Sequence, residues 1–293
     1  MKIVFYGVRG SIPAPGPSTA KYGGNTSCVY VELKNGKNMV FDAGTGIRLL
    51  GQKLCTSDDP INIILSHGHW DHIQGYPFFI PIYQPERQIS IYASTTYGEH
   101  TLCPLFDQMD GSNFPIHSDE LLSKSRWVSN NIETVLADQD IQILRKGLNH
   151  PGGGSAYKII ENGMTCAYIT DNELQPPGKI HTTYDEWVDF CHGIDVLIHD
   201  AQYTEDDMPH KHGWGHSLIS QVRQLAVDAE VGSLVMFHHD PDRTDNELDE
   251  IQIENERYFK EKNSAIKSYC AAEGMEINLS KQSTDSRTII EVI

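Results

Sequence analysis

The sequence lacks any apolar run long enough to span a membrane, and it lacks a paired cysteine motif. The first absence argues against an integral membrane protein. The six cysteines (Cys28, Cys55, Cys103, Cys166, Cys191 and Cys270) are scattered without a CxxC pair. No dense disulfide framework is therefore expected, and a cysteine-rich zinc module is disfavoured. The N-terminal Met1-Lys2-Ile3-Val4-Phe5-Tyr6-Gly7 carries one cation and too short an apolar stretch for an export signal. Reduced thiols in a cytoplasmic protein are the expectation. Cations are scarce: 23 basic residues stand against 40 acidic ones, a formal net charge of -17. Such a surface repels polyanions, so extended nucleic acid is not an expected partner. A small anion needs only a local positive site and stays allowed.

What is present is an ordinary enzyme-like composition, 39% hydrophobic and 22% charged over 293 residues, with no repeat, linker or low-complexity tract. Periodicity predicts strands at 3–6, 28–33 and 38–41, the last two joined by a turn at Asn35-Gly36. A helix over 47–54 and strands at 61–65 and 89–93 follow. The stretch 97–127 has no clean period and carries Phe106, Met109 and Phe114, so it is read as a lid, a substrate wall or a surface excursion with a minor core. Strands at 142–145, 157–161 and 164–170, a helix over 184–191 and a strand at 196–198 come next. A helix over 218–229, a strand at 233–237, one long helix over 246–273 and strands near 275–279 and 287–292 complete the chain. The expectation is one α/β domain over 1–293 with a single site along one rim.

The chemistry concentrates in Ser66-His67-Gly68-His69-Trp70-Asp71-His72, directly after the β-branched run Ile61-Asn62-Ile63-Ile64-Leu65. Residues two apart in an extended segment point the same way, so His67 and His69 can grip one ion. Asp71 and His72 diverge from that pair if the chain turns there, which suggests two metals side by side. Further ligand-type residues recur where strands end: Asp42, His150, Asp171, His199-Asp200 and His238-His239.

This constellation resembles the metallo-β-lactamase superfamily, whose HxHxDH hallmark stands here as His67-Gly68-His69-Trp70-Asp71-His72. The resemblance implies a four-layer αββα sandwich. It implies that His67, His69 and His150 hold one divalent metal and Asp71, His72 and His238 the other, with Asp171 bridging. Zinc is the favoured ion, with manganese and iron also suited to such ligands. Gly24-Asn25-Thr26-Ser27, Gly215-His216-Ser217 and Leu234-Val235-Met236-Phe237-His238 carry a finer resemblance to the phosphodiesterase branch, which includes tRNA 3′-processing ribonucleases and cyclic phosphodiesterases. That branch implies His216 as general acid or oxyanion stabiliser, with Asp71 also in the catalytic set. His239, His199 and Asp200 are supporting candidates, and Asp42 is read as a buried carboxylate organising the histidine loop. The basic, Gly/Pro-rich arm of the tRNA enzymes is not recognisable here.

The resulting expectation is a dinuclear phosphodiesterase hydrolysing a small nucleotide-like or cyclic phosphodiester through a metal-held hydroxide. The sequence is compatible with a homodimer. A lactone or thioester hydrolase of the same fold, and a metal-bearing nucleotide sensor with little turnover, are the rival readings.

Overall fold

In the computed structural model, which describes residues 1–34, 36–93, 104–128, 132–137, 140–281 and 288–293, two sheets stack face to face. The first half of the chain supplies β1 (Lys2–Gly7), β2 (Cys28–Glu32), β3 (Met39–Phe41), helix α1 (Ile47–Leu54), β4 (Ile61–Leu65) and β5 (Gln88–Ala93). A short helix α2 (Pro104–Asp107) then leads to β6 (Lys124–Trp127). The second half supplies α3 (Ile132–Val135), β7 (Ile141–Gly147), β8 (Ser155–Glu161), β9 (Met164–Ile169), α4 (Tyr184–Cys191) and β10 (Val196–Asp200). It continues with α5 (Ile219–Asp228), β11 (Ser233–Phe237), α6 (Asp245–Glu261) and β12 (Lys267–Cys270), while β13 (Glu276–Lys281) and β14 (Thr288–Val292) return to the first sheet. The strand orders are β14-β13-β1-β2-β3-β4-β5-β6 and β12-β11-β10-β9-β8-β7.

Period-two alternation explains the layering. Along β11, Val235 and Phe237 enter the core between the sheets, while Leu234 and Met236 face the helices outside. Trp187 of α4, Leu225 of α5 and Phe259 of α6 cover the second sheet, and Ile47, Leu50 and Leu54 of α1 cover the first. The expected αββα sandwich is what forms. Strands β3 to β6 run parallel, as do β9 to β12. Their carboxyl ends therefore gather on common rims, where open α/β sheets place their ligands. Among the described residues, no helix is long and apolar enough to cross a membrane.

Three readings need correction or restriction. The helix expected over 246–273 stops at Glu261; Asn263 takes a left-handed φ of 51°, and Lys267–Cys270 becomes β12, parallel to β11. In the stretch 97–127, residues 97–103, with Cys103 and His100, fall outside the described residues, as does Asn35 of the hairpin turn. Met109 of the remainder is only 1% exposed inside the core over the first sheet. Phe106 packs edge-on to Tyr76 and Phe114 to Phe78, also on that core. These side chains pack against the core over the first sheet, with Phe106 and Phe114 remaining partly exposed. Pro104, by contrast, lies close enough to Gly68 that a Cβ there would meet it at 2.8 Å.

Candidate metal centre

The site begins with three strand ends that bend abruptly. Asp42 after β3, Asp171 two residues past β9 and His238 after β11 have φ values of 61°, 49° and 59°. Asp and His are among the side chains that enter this left-handed region more readily, and such strain gathers at functional sites. After β4 the chain stays extended at His69 and then closes one 3-10 turn over Trp70–His72. That turn swings Asp71 and His72 away from His67 and His69. Gly44 lies beneath it so closely that a Cβ would sit 2.3 Å from the Asp71 carbonyl oxygen.

The seven candidate ligands from distant parts of the chain converge into two groups. His67, His69, His150 and Asp171 form one, and Asp71, His72, Asp171 and His238 the other. The Asp171 carboxylate serves both. Its Oδ2 lies 3.6 Å from Nε2 of His67 and of His150, and its Oδ1 lies 3.1 Å from Nε2 of His72 and of His238. Asp71 Oδ2 stands 3.2 Å from His72 Nε2 and 3.1 Å from His238 Nε2. Nδ1 of His69 faces Nε2 of His150 at 3.0 Å.

Each ring but one is aimed by its other nitrogen. His72 Nδ1 donates to Asp42 Oδ2 at 2.8 Å, His150 Nδ1 to the Gly215 carbonyl at 3.0 Å and His238 Nδ1 to Gln202 Oε1 at 3.0 Å. His67 Nδ1 is 3.0 Å from Ser66 Oγ. The exception is His69, which is exposed and turns Nδ1 inward. Asp42 organises the histidine loop as expected: besides His72 it accepts from Ser66 N, Ser66 Oγ and Tyr168 OH at 2.7 to 2.8 Å. Asp71 accepts the Ser11 amide at 2.7 Å, which ties the loop after β1 to the site.

Electrostatics match that geometry. Burial pushes the His67 imidazolium pKa well down and that of His150 to about 4, so both rings present lone pairs at neutral pH. His72 behaves oppositely: burial lowers its pKa, but Asp171, Asp71 and Asp42 together raise it well above the usual range. Burial likewise works against ionised Asp171, while His238 and His72 hold its pKa well below the carboxylate range. The cluster demands positive charge.

His216 lies beside this centre, its ring stacked on His238 at 5.1 Å, with Nδ1 donating to Asp200 Oδ2 at 2.8 Å. Burial disfavours its charge, but the Asp200 carboxylate outweighs this and lifts the pKa to about 9. Asp200 therefore orients His216. His199 points elsewhere, to the Asp200 carbonyl, and His239 bonds the Ala271 carbonyl at 2.9 Å, buried and with its pKa pushed down to about 3. Neither belongs to the centre.

Three participants escaped sequence reading. Ser11 acts through a backbone amide, which no side-chain pattern marks. Arg9, fully buried, donates to the carbonyls of Gly23, Asp240 and Arg243 at 2.7, 3.0 and 2.6 Å and so anchors its loop beside His238. Gln202 joins His238 to Ser11 Oγ, to which its Nε2 donates at 3.2 Å, while its backbone N–H donates to Asp200 Oδ1 at 3.0 Å. Two residues after β10, it sits where a strand-end signal existed, but a glutamine there reads as solvated. Gln202→Ala should weaken divalent-metal affinity by ~10–100-fold, the usual cost of losing such a partner. Chelator competition on the purified variant measures this, and unchanged affinity would reduce Gln202 to a packing role.

A two-sheet α/β sandwich with clustered His and Asp side chains at its rim defines the class. The pattern described as the beta-lactamase superfamily domain matches residues 37–239, and the chain belongs to that family. Ribonuclease Z of Bacillus cereus (strain G9842) is 24% identical over 285 residues, covering 81% of this chain and 88% of that protein. Among solved structures, the metallo-beta-lactamase fold protein YhfI from Bacillus subtilis superposes with a TM-score of 0.67 at 17% identity, covering 94% of this chain and 98% of that one. A diphosphatase of the PhnP family superposes at 0.65 with 18% identity, over 95% of this chain and 98% of that one. These superpositions speak for the fold.

Proposed function

We propose that this protein is a metal-dependent hydrolase acting on a small nucleotide-like or cyclic phosphodiester. The carrying observation is the division of Asp171, one oxygen toward each histidine group, with the Asp200–His216 pair alongside. His67, His69 and His150 would hold one divalent ion, Asp71, His72 and His238 the other, and Asp171 both. The residues fit that load. Nε2 of His67 is buried without a hydrogen-bond partner, and Nε2 of His72 faces only the Asp71 and Asp171 carboxylates, at 3.2 and 3.1 Å. Donor separations of 3.0 to 3.6 Å also match the edges expected around an ion with ligands at roughly 2.0–2.2 Å. A set without cysteine suits zinc, manganese or iron, with zinc the first expectation. When bound, such ions supply Lewis acidity and a water acidic enough to ionise near neutral pH.

The chain's own residues supply the rest. Asp42, Gln202 and the Gly215 carbonyl hold the imidazoles in one tautomer, with the ligating nitrogen inward. Asp200 fixes His216 through Nδ1, so Nε2 is the nitrogen left to donate a proton to a departing alkoxide. Trp70 and Trp214, 72% and 60% exposed, adjoin His69 and Gly215 and offer indole faces to a base-bearing substrate. Support from a curated relative is of the same kind, since the one named above is a ribonuclease.

Purified, metal-analysed protein offered phosphodiester, lactone and thioester panels tests the reading. Turnover confined to phosphodiesters is the expected result. Turnover confined to lactones or thioesters would replace it, and nucleotide binding without turnover would make the protein a sensor.

A further inference from the structure

A cavity of about 450 Å³ adjoins the His67–His69–His150 half of the centre, walled by the loop after β7, the loop after β9 and the Gly213 turn. Its volume lies within the ~300–1,000 Å³ usual for small-molecule sites. The walls are built features. Asn149, 3% exposed, accepts the His181 and Thr182 amides at 2.8 and 3.0 Å and donates to the Glu173 and Thr182 carbonyls at 3.2 and 2.8 Å. Glu173, also 3% exposed, accepts the Gly213 amide on Oε1 at 2.9 Å and the Gly215 amide on Oε2 at 3.0 Å. One asparagine and one glutamate thus fix three loops around the cavity.

The lining chemistry is selective. Both oxygens of Glu173 are engaged, so its charge is largely met by backbone N–H groups. Lys179 also lines the space and has no ion pair among the described residues, in a chain where acidic residues outnumber basic ones 40 to 23. Pro151, Pro176 and Pro177 add rigid apolar faces, and the glycines of the 147–154 loop leave the floor open. Flat apolar walls with one uncommitted cation fit an organic ring carrying an anion.

We infer that this cavity is a subsite for the nucleoside end of the substrate, and that Lys179 selects diesters bearing an additional terminal phosphate. The inference rests on the phosphodiesterase reading, and it narrows the substrate from cyclic monophosphates to linear, 5′-phosphorylated nucleotide diesters. Lys179 is exposed, so its pairing with a phosphate is screened by solvent and should be worth up to about fivefold in affinity.

Two variants test it. Lys179→Glu reverses the cation. Gly147→Phe fills the cavity from a position where an added Cβ meets nothing within 4 Å. Titration calorimetry of the metal-loaded protein with 5′-AMP and with adenosine gives a readout independent of turnover. The expected result is tighter binding of 5′-AMP than adenosine by up to about fivefold. That preference should vanish in Lys179→Glu, and both ligands should be lost in Gly147→Phe. In kinetics, wild type should favour 5′-phosphorylated diadenylate over its unphosphorylated form, and Lys179→Glu should erase the ratio. Equal binding of the two ligands by wild type, or an unchanged ratio in Lys179→Glu, overturns the subsite. The predicted binding without hydrolysis of any phosphodiester would support the subsite while refuting the proposed reaction.

Discussion

Asp171→Ala is expected to deplete both halves of the centre at once. Its two oxygens are divided between the histidine groups, so one deletion removes a donor from each. The loss is also electrostatic. His72 and His238 face Asp171 Oδ1 at 3.1 Å, and removing that carboxylate leaves fewer negative charges to favour divalent ions. Elemental analysis should fall from about two ions per chain, the dinuclear count, to well under one. Phosphodiesterase activity should drop by at least the ~10²–10³-fold that follows loss of one preorganised electrostatic group. Asp171→Asn guards against misfolding, because it keeps the size of a side chain that sits 2% exposed. A folded Asn variant that keeps both ions at full occupancy would show that the carboxylate is not shared between them.

The parts of this centre differ in how legible they were in the sequence. Where a strand is buried on both faces, its β-branched run marks it, as in Ile61–Leu65, and the residues that follow announce a rim position. Helices with compact apolar stripes were equally plain: Ile47–Leu54 and Tyr184–Cys191 have the expected bounds. The edge strand β6, Lys-Ser-Arg-Trp, has no fully buried residue and left no apolar signature. β12 reads as a continuation of the preceding helix because the sequence from 245 to 273 contains neither Gly nor Pro. The break there is made by Asn263 in a left-handed turn and by packing against β11. Tertiary pairing overrode a helical pattern.

The same distinction applies inside the site. HxHxDH is local, so its ligands could be read directly, whereas the grouping of His150, Asp171 and His238 with it came from family resemblance. Gln202 and the Ser11 amide sit at the ends of contacts 36 and 60 residues long, and only the fold brings them to His238 and Asp71. The position of Glu173 is similar: its oxygens hold a turn 40 and 42 residues away. Residues of a candidate ligand set are constrained in type, but those that aim them are constrained chiefly in place.

His216→Ala should separate chemistry from metal binding. The ring is 7% exposed, stacks on His238 and is held through Nδ1 by Asp200, which leaves Nε2 as the possible donor. With its pKa raised to about 9 by Asp200 against the effect of burial, the ring is protonated below that value and loses its proton as pH rises through it. A ribose alkoxide is a poor leaving group and needs a proton, whereas nitrophenolate departs readily without one. General acid catalysis typically contributes ~10²–10⁴-fold, so the loss on a nucleotide diester should fall in that range. The loss on bis-(p-nitrophenyl) phosphate should be clearly smaller, with metal content unchanged. The competing possibility is structural: ligand atoms of Asp200, His216 and His238 also lie within 4.8 Å of one another and could themselves grip an ion. Loss of an ion from His216→Ala would make His216 a ligand. Equal slowing of both substrates with ions intact would assign it to stabilising phosphoryl charge, because a proton donor must discriminate between leaving groups and a charge stabiliser need not.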